Sequence, residues 1–397
     1  LENGGAAGSV RPGPVGGMLM QQNGARPLRV IQVCDLQAGG ISSIILSVCE
    51  EMDREKVNFD YLVYRDQPEF EDRRAQRLGG RKLIADGTNT ANRAVRLVRK
   101  FVRTGRILRR ERAEIFHING STPYDFLVGM AARLAGVRTV ILHAHNSRLK
   151  KSSRLHRGLQ GLFRTLQPLC GDWYFACSDL AGEFMFGSRC RRKVIEVKNG
   201  IHTRRFRFDG AVREQMRAEY GLQDALVVGH IGRMVPAKNQ SFLLEVFAEL
   251  LRLRPDARLV LIGSGELEEA LMAQAGRMGL VEKLTRIPST SQPERFYCMM
   301  DLFMLPSLFE GLPVVGVEAQ ASGLPCIFSD SITRELAITD RAHYLGLDRS
   351  PAEWAELAAA LAAETPRNRE EYAGRVREGG FEIEDVAAWL QEFYLSL

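Results

Sequence analysis

Ala225-Leu-Val-Val-Gly-His-Ile-Gly-Arg-Met-Val-Pro-Ala-Lys-Asn-Gln240 decides the architecture. Its first seven residues are an apolar run of strand length. The run breaks at Gly232, crosses a loop carrying Arg233 and Lys238, and gives way at Gln240 to helical apolar spacing up to Leu253. Strand, loop and helix in that order begin a βαβ unit, and this one begins past the midpoint of a 397-residue chain. The chain before it already holds a full set of the same kind. Residues 28–34, 59–64, 115–118, 139–143, 173–177 and 193–197 read as strands, and 41–52, 93–112 and 124–135 as helices. After it come strands at 258–262, 301–305 and 325–328, and helices at 267–278, 351–364 and 383–396. Two α/β domains in tandem, each built on a parallel sheet, put a cleft between them, with ligands expected at the carboxyl ends of the strands.

The expected units are 27–200 and 201–382, followed by a closing helix at 383–397. The polar stretch 199–209 joins the two domains. Residues 1–26 hold seven Gly and no periodicity, and read as a flexible tail or an expression scar. No run of ~18 apolar residues predicts a membrane span, and no secretory signal is evident. Seven cysteines without a Cys-x-x-Cys argue against a disulfide scaffold or a zinc site and fit a reducing, cytoplasmic setting. The net charge of +6 is unevenly divided: residues 27–200 carry 31 Lys/Arg against 18 Asp/Glu, and residues 201–397 carry 21 against 29. The basic half suits an anionic membrane, an acidic substrate or nucleic acid. The missing aromatic interleaving argues against nucleic acid.

Several motifs carry chemistry. Gly39-Gly40 follows the first strand and opens a helix, where backbone N–H groups favour an anion. Gly-Ser-Gly at 263–265 imitates a dinucleotide fingerprint but lacks its third glycine, and reads better as a structural turn. Gly232-Arg233 and Lys238 place two cations on one loop, where they can converge on a diphosphate. Ser307-Leu-Phe-Glu310-Gly-Leu-Pro-Val-Val-Gly-Val-Glu318 sets two carboxylates eight apart in an apolar stretch, with Gly311 expected to open the helix that carries Glu318. Carboxylates there need partners, and a polyhydroxylated ligand would supply them. His143 and His145 share one side of a strand end, as substrate contacts or as structural groups. No Asp-x-Asp occurs, which weakens any role for a divalent metal on a nucleoside diphosphate.

Taken together, these residues resemble the family 4 retaining glycosyltransferases of the GT-B fold, nearest to the exopolysaccharide and capsule glycosyltransferases of bacteria. The likeness runs over residues 28–344 and rests on Gly232-Arg233 with Lys238, on the Glu310-x7-Glu318 block, and on four further motifs that follow one another in order along the chain, Met52-Asp-Arg-Glu-Lys-Val-Asn-Phe-Asp60, His143-Ala-His-Asn-Ser147, Tyr174-Phe-Ala-Cys-Ser178 and Phe309-Glu-Gly-Leu-Pro313. The resemblance implies two Rossmann-like domains, the first on the acceptor side and the second binding the nucleotide sugar, with the last helix crossing back onto the first. It implies a nucleotide-diphosphate sugar donor, most often UDP-linked, and a glycan or lipid-linked glycan acceptor. Arg233 and Lys238 would bind the diphosphate and Glu318 the ribose. Glu310 with the backbone of Gly311, Leu312 and Pro313 would hold the sugar. Gly39 and Gly40 would approach the phosphate, and His143 or His145 would sit by the sugar. No cofactor or metal is implied. Peripheral contact with the cytoplasmic membrane face is expected through the basic stretches 93–112 and 148–157. A sugar-nucleotide epimerase of the same plan and a basic nucleic-acid-binding protein are the competing readings.

Overall fold

A computed structural model of the chain describes residues 26–37, 39–85, 92–120, 122–146, 154–187, 193–364 and 368–397. The expected tail lies almost wholly outside the described residues, as do Ala38 and residues 148–153 of the second basic stretch.

Seven parallel strands build the first sheet: β1 (Leu28–Val33), β2 (Val57–Val63), β3 (Lys82–Ile84), β4 (Ile115–Gly120), β5 (Thr139–Ala144), β6 (Trp173–Ala176) and β7 (Val194–Glu196), in the order β3-β2-β1-β4-β5-β6-β7. Six more build the second: β8 (Leu226–Ile231), β9 (Ala257–Ile262), β10 (Leu284–Ile287), β11 (Leu302–Leu305), β12 (Cys326–Ser329) and β13 (Ala342–Leu345), in the order β10-β9-β8-β11-β12-β13. The inner strands are apolar runs because helices cover both faces of a parallel sheet. Every residue of β5 is buried. The order reverses between β1 and β4 and again between β8 and β11. Loops leaving those four strands diverge and leave a crevice at their carboxyl ends.

Three edge strands escaped the sequence reading. β3, β10 and β13 are three or four residues long and largely half-buried, so none contains an apolar run. The helix expected from 124 begins instead with a tight turn at Pro123–Asp125, closed by reciprocal Thr122 and Asp125 caps, and continues as Phe126–Ala135.

The last helix, Ile383–Leu395, returns to the first domain. Ile201 N–H donates to Phe381 O at 2.8 Å, and Ile383 N–H donates to Ile201 O at 2.9 Å. Ile383, Ala387, Leu390 and Tyr394 are then buried in one cluster with Val30, Leu46 and Phe59. Burying an Ile or Leu contributes roughly 1.5–3 kcal/mol, enough for this helix to hold the two ends of the chain together.

Candidate active site

The loop after β8 is seated by two glycines of its neighbour. Gly263 has φ +135°, and a Cβ there would fall 2.2 Å from Gly232 O; a Cβ on Gly265 would fall 2.4 Å from Met234 O. With those side chains absent, Gly232 N–H donates to Ile262 O and Met234 N–H to Ser264 O, each at 2.9 Å. The Gly-Ser-Gly motif is a structural turn, and its purpose is to carry the Arg233 loop. Arg233 itself is exposed, and no ion pair or side-chain hydrogen bond holds it among the described residues. Lys238 lies on the tight turn Pro236–Lys238, with its stem over Gly232.

The loop after β11 meets this one. Leu308 N–H donates to Ala237 O at 2.8 Å. Glu310 Oε1 accepts from Lys238 Nζ at 2.6 Å and from Ser307 Oγ at 2.8 Å. The helix that follows is Val314–Ala321, so Gly311 does not open it. Pro313 sits at its cap, because a proline lacks the N–H that a continuing helix would need. Glu310 therefore precedes the helix and Glu318 rides on it. Glu318 Oε2 accepts from Tyr297 O–H at 2.7 Å, and burial pushes its carboxyl up to about 7 despite that bond.

The first domain closes on this turn. A Cβ on Gly311 would fall 2.1 Å from His145 O, so only glycine lets the two backbones meet there. Buried Asn199 donates to Leu312 O at 3.0 Å, and a Cβ on Gly311 would also fall 3.3 Å from the sulfur of buried Cys177. Gly40 faces Val314 from the first domain, within 3.9 Å of where its Cβ would stand. The N–H of Gly311 donates to nothing among the described residues. An amide donor, an ion-paired lysine and an exposed arginine thus lie on the two adjoining loops after β8 and β11, a donor set suited to phosphate and hydroxyl oxygens.

Comparison with known proteins shows the family to which the chain belongs. The family model "Glycosyltransferase Family 4" matches residues 38–205, and "Glycosyl transferases group 1" matches residues 212–377. EpsF of Bacillus subtilis (strain 168), a glycosyltransferase by assignment, is 33% identical over 379 residues, covering 93% of this chain and 97% of its own. The chain is a family 4 glycosyltransferase. An Escherichia coli galactosyltransferase named for UDP-Gal and an α-D-GlcNAc-diphosphoundecaprenol acceptor is 29% identical over 242 residues, covering 57% of this chain and 60% of its own. In fold, the glycosyltransferase is similar to Anabaena HepE bound to UDP and glucose, with a TM-score of 0.76 at 15% identity over 94% of this chain and 100% of that one.

All the residues singled out in the sequence of this glycosyltransferase lie at carboxyl ends of inner strands or on the helix Val314–Ala321. Gly39 and Gly40 follow β1, His143 and His145 end β5, Gly232 to Lys238 follow β8, and Glu310 to Pro313 follow β11. The sequence reading missed their partners. Ser307 opens the block already quoted, three residues before Glu310. Asn199 stands in the interdomain linker, and Tyr297 on the helix Pro293–Met299. His117 is the largest omission: a histidine inside the buried strand Ile115–Gly120 needs a polar partner, and that need was the available signal. His117 Nε2 lies 3.2 Å from His143 Nδ1, and the His143 and His145 rings lie tilted against each other with centroids 4.0 Å apart. Burial pushes His117 down to about 3, His145 down to about 4 and His143 well below the usual range, so all three are neutral near pH 7.

Proposed function

We propose that the glycosyltransferase moves a hexose from a UDP-sugar to a glycan or lipid-linked glycan acceptor of cell-surface polysaccharide synthesis, with retention of configuration and without a metal ion. The Lys238–Glu310 pair beside the free Gly311 amide carries this reading. Lys238 Nζ has three donor positions and spends one on Glu310. The others meet the diphosphate together with Arg233, which extends from the neighbouring turn. Charge grows on the diphosphate as the sugar bond breaks, and fixed cations and amide dipoles meet it without reorganising. Glu310 accepts from sugar hydroxyls, and Glu318, held by Tyr297, accepts from the ribose. Gly39 and Gly40 close on the phosphate from the first domain. The leaving phosphate helps deprotonate the acceptor on the same face, and His143 or His145 borders the sugar.

The acceptor side has its own observation. On the helix Arg93–Arg110, Val95, Val98 and Val102 are exposed among Arg96, Arg99, Arg106 and Arg109, with no acidic residue in the helix. Apolar and cationic groups on one exposed face suit the surface of an anionic membrane that holds a lipid-linked acceptor. No helix among the described residues is long and apolar enough to cross a membrane.

Thermal denaturation with nucleoside diphosphates tests the donor site. UDP at ~100 times its dissociation constant stabilises by about 2.7 kcal/mol, and EDTA leaves the shift in place. Absence of a shift with any nucleoside diphosphate overturns the reading. Activity lost in EDTA and restored by Mg²⁺ or Mn²⁺ overturns its metal-free part.

A further inference from the structure

One hydrogen-bond chain in the first domain can be read proton by proton, because it starts on a group whose role is fixed. Val33 O is a backbone carbonyl and only accepts. Asn119 Nδ2 donates to it at 3.3 Å and to Gln32 Oε1 at 2.8 Å, which fixes the orientation of both amides. Gln32 Nε2 therefore faces Tyr394 and donates to its hydroxyl at 3.3 Å. Among the described residues the only other partner of that hydroxyl is His117 Nδ1, 2.6 Å away, so its own proton goes there. His117 then carries its proton on Nε2 and donates to His143 Nδ1 at 3.2 Å. His143 is left with its proton on Nε2. On the other branch Asn119 Oδ1 accepts from His145 Nε2, at 3.1 Å, and His145 Nδ1 keeps a free lone pair.

The chain ends on two atoms without partners. His143 Nε2 and His145 Nδ1 are buried and make no hydrogen bond among the described residues, although the residues around them are connected. By the proton assignment the first is a donor and the second an acceptor, on rings with centroids 4.0 Å apart at the strand end that meets Gly311. A donor beside an acceptor matches a hydroxyl, which takes a proton from one and gives its own to the other. The three histidines are neutral, as a relay of single tautomers requires.

We propose that Tyr394, on the last helix, is a positioning residue: through His117 it holds His143 in its Nε2–H tautomer, so that His143 and His145 together orient a substrate hydroxyl at the domain interface. This rests on the glycosyltransferase reading above and adds to it a group from the opposite end of the chain. The last helix then does more than tie the domains together. It sets the direction of a hydrogen bond at the site.

Tyr394→Phe removes the hydroxyl and keeps the ring that packs edge-on against Phe59. Nitrogen-15 NMR of histidine-labelled protein reads the tautomers directly, without substrate, from seven histidines. The wild type should show His143 protonated on Nε2 alone, and Tyr394→Phe should mix its tautomers. With whichever of UDP-glucose, UDP-galactose, UDP-N-acetylglucosamine or GDP-mannose the wild type turns over, kcat should fall roughly 10-fold while donor KM stays within about 2-fold. His117→Gln should retain both the tautomer and kcat, because its Oε1 can accept from Tyr394 and its Nε2 can donate to His143. His117→Leu should lose both. Wild-type His143 protonated on Nδ1 overturns the proposal even if Tyr394→Phe fails to fold. A tautomer change with unchanged kcat leaves the relay but overturns its role in positioning. If no donor is turned over, the transferase reading fails and the positioning role with it, while the spectrum still decides whether the relay exists.

Discussion

Lys238 and Glu310, 72 residues apart in the chain, form an ion pair of 2.6 Å with side chains only 17% and 15% exposed. Each was expected to serve the donor separately, the lysine at the diphosphate and the glutamate at the sugar. Their pairing makes them one device. Glu310 holds Lys238 and Ser307 fixes the glutamate in turn, so that in the proposed function little side-chain freedom would be lost on binding a diphosphate. Under the proposed function, a sugar hydroxyl reaching Glu310 would compete with the lysine for the carboxylate and so leave Lys238 freer to follow the leaving phosphate.

Lys238→Ala should therefore lower kcat by ~10²-fold or more, by analogy with removing one donor to a developing oxyanion. Binding of UDP should persist through Arg233 and the Gly311 amide. Arg112→Ala is the control. Arg112 is exposed at the turn just past the helix Arg93–Arg110, so that change should leave kcat near the wild-type value. Steady-state kinetics with a soluble acceptor analogue decides, and equal kcat for the two variants would disprove the phosphate role of Lys238.

Glu318 gives a dependence on pH whose sign can be worked out. Burial raises its carboxyl in the folded chain to about 7, above its ordinary value of 4.5. Between those values the folded protein holds a proton that the unfolded chain has released, so the stability due to this group falls as pH rises through the window. Glu318→Gln removes the titration while its Oε1 still accepts from Tyr297. The variant should gain on the wild type by about 1–2 kcal/mol between pH 5 and pH 8, a figure reduced for the partial exposure of Glu318. Calorimetry across that range should show the gap widening, and a gap independent of pH would refute the shift.

Much of the site was legible because its residues cluster in sequence as well as in space. Glu310 to Glu318 occupy a single turn and helix, and Arg233 and Lys238 a single loop, so local pattern offered them as candidates and the family resemblance gave them their roles. What escaped was each partner supplied from far away. Spacing does not reveal such partners: Tyr297 reaches Glu318 from the preceding helix, and Tyr394 reaches His117 across 277 residues. Nothing in the local pattern of either tyrosine distinguishes it from an ordinary core aromatic. The start of the helix at Val314 rather than Gly311 was missed for a different reason. Glycine is a weak marker of helix beginnings, and here its use is the close approach of His145.

The helix Arg93–Arg110 predicts binding to anionic membranes. Val98 is 63% exposed between Arg96 and Arg99, and each basic residue near an anionic surface adds ~1 kcal/mol at best. Sedimentation with vesicles containing phosphatidylglycerol should fall as salt rises, and Val98→Asp should weaken it without changing the melting temperature. Equal sedimentation with neutral and anionic vesicles would remove the membrane from the proposed function.

Two glycine substitutions separate the seating of the Arg233 loop from general tolerance. Gly263 has a left-handed φ of +135°, and its Cβ would meet Gly232 O at 2.2 Å, a backbone atom that cannot step aside alone. Gly276 lies within the helix Glu268–Arg277 with nothing within 4 Å of its Cβ position. Gly276→Ala should stabilise the protein by roughly 0.5–1 kcal/mol, the ordinary gain of alanine over glycine in a helix, and leave UDP affinity alone. Gly263→Ala should destabilise by about 1–3 kcal/mol through backbone strain. It should also weaken UDP binding, because the displaced segment is the one that carries Arg233 and, through Gly232, supports the stem of Lys238. Titration of both variants with UDP under folded conditions tests the link. If Gly263→Ala lost stability but bound UDP as tightly as Gly276→Ala, the glycine would serve only the packing of β9 against its neighbour, and Arg233 would have to reach the donor without help from the turn beneath it.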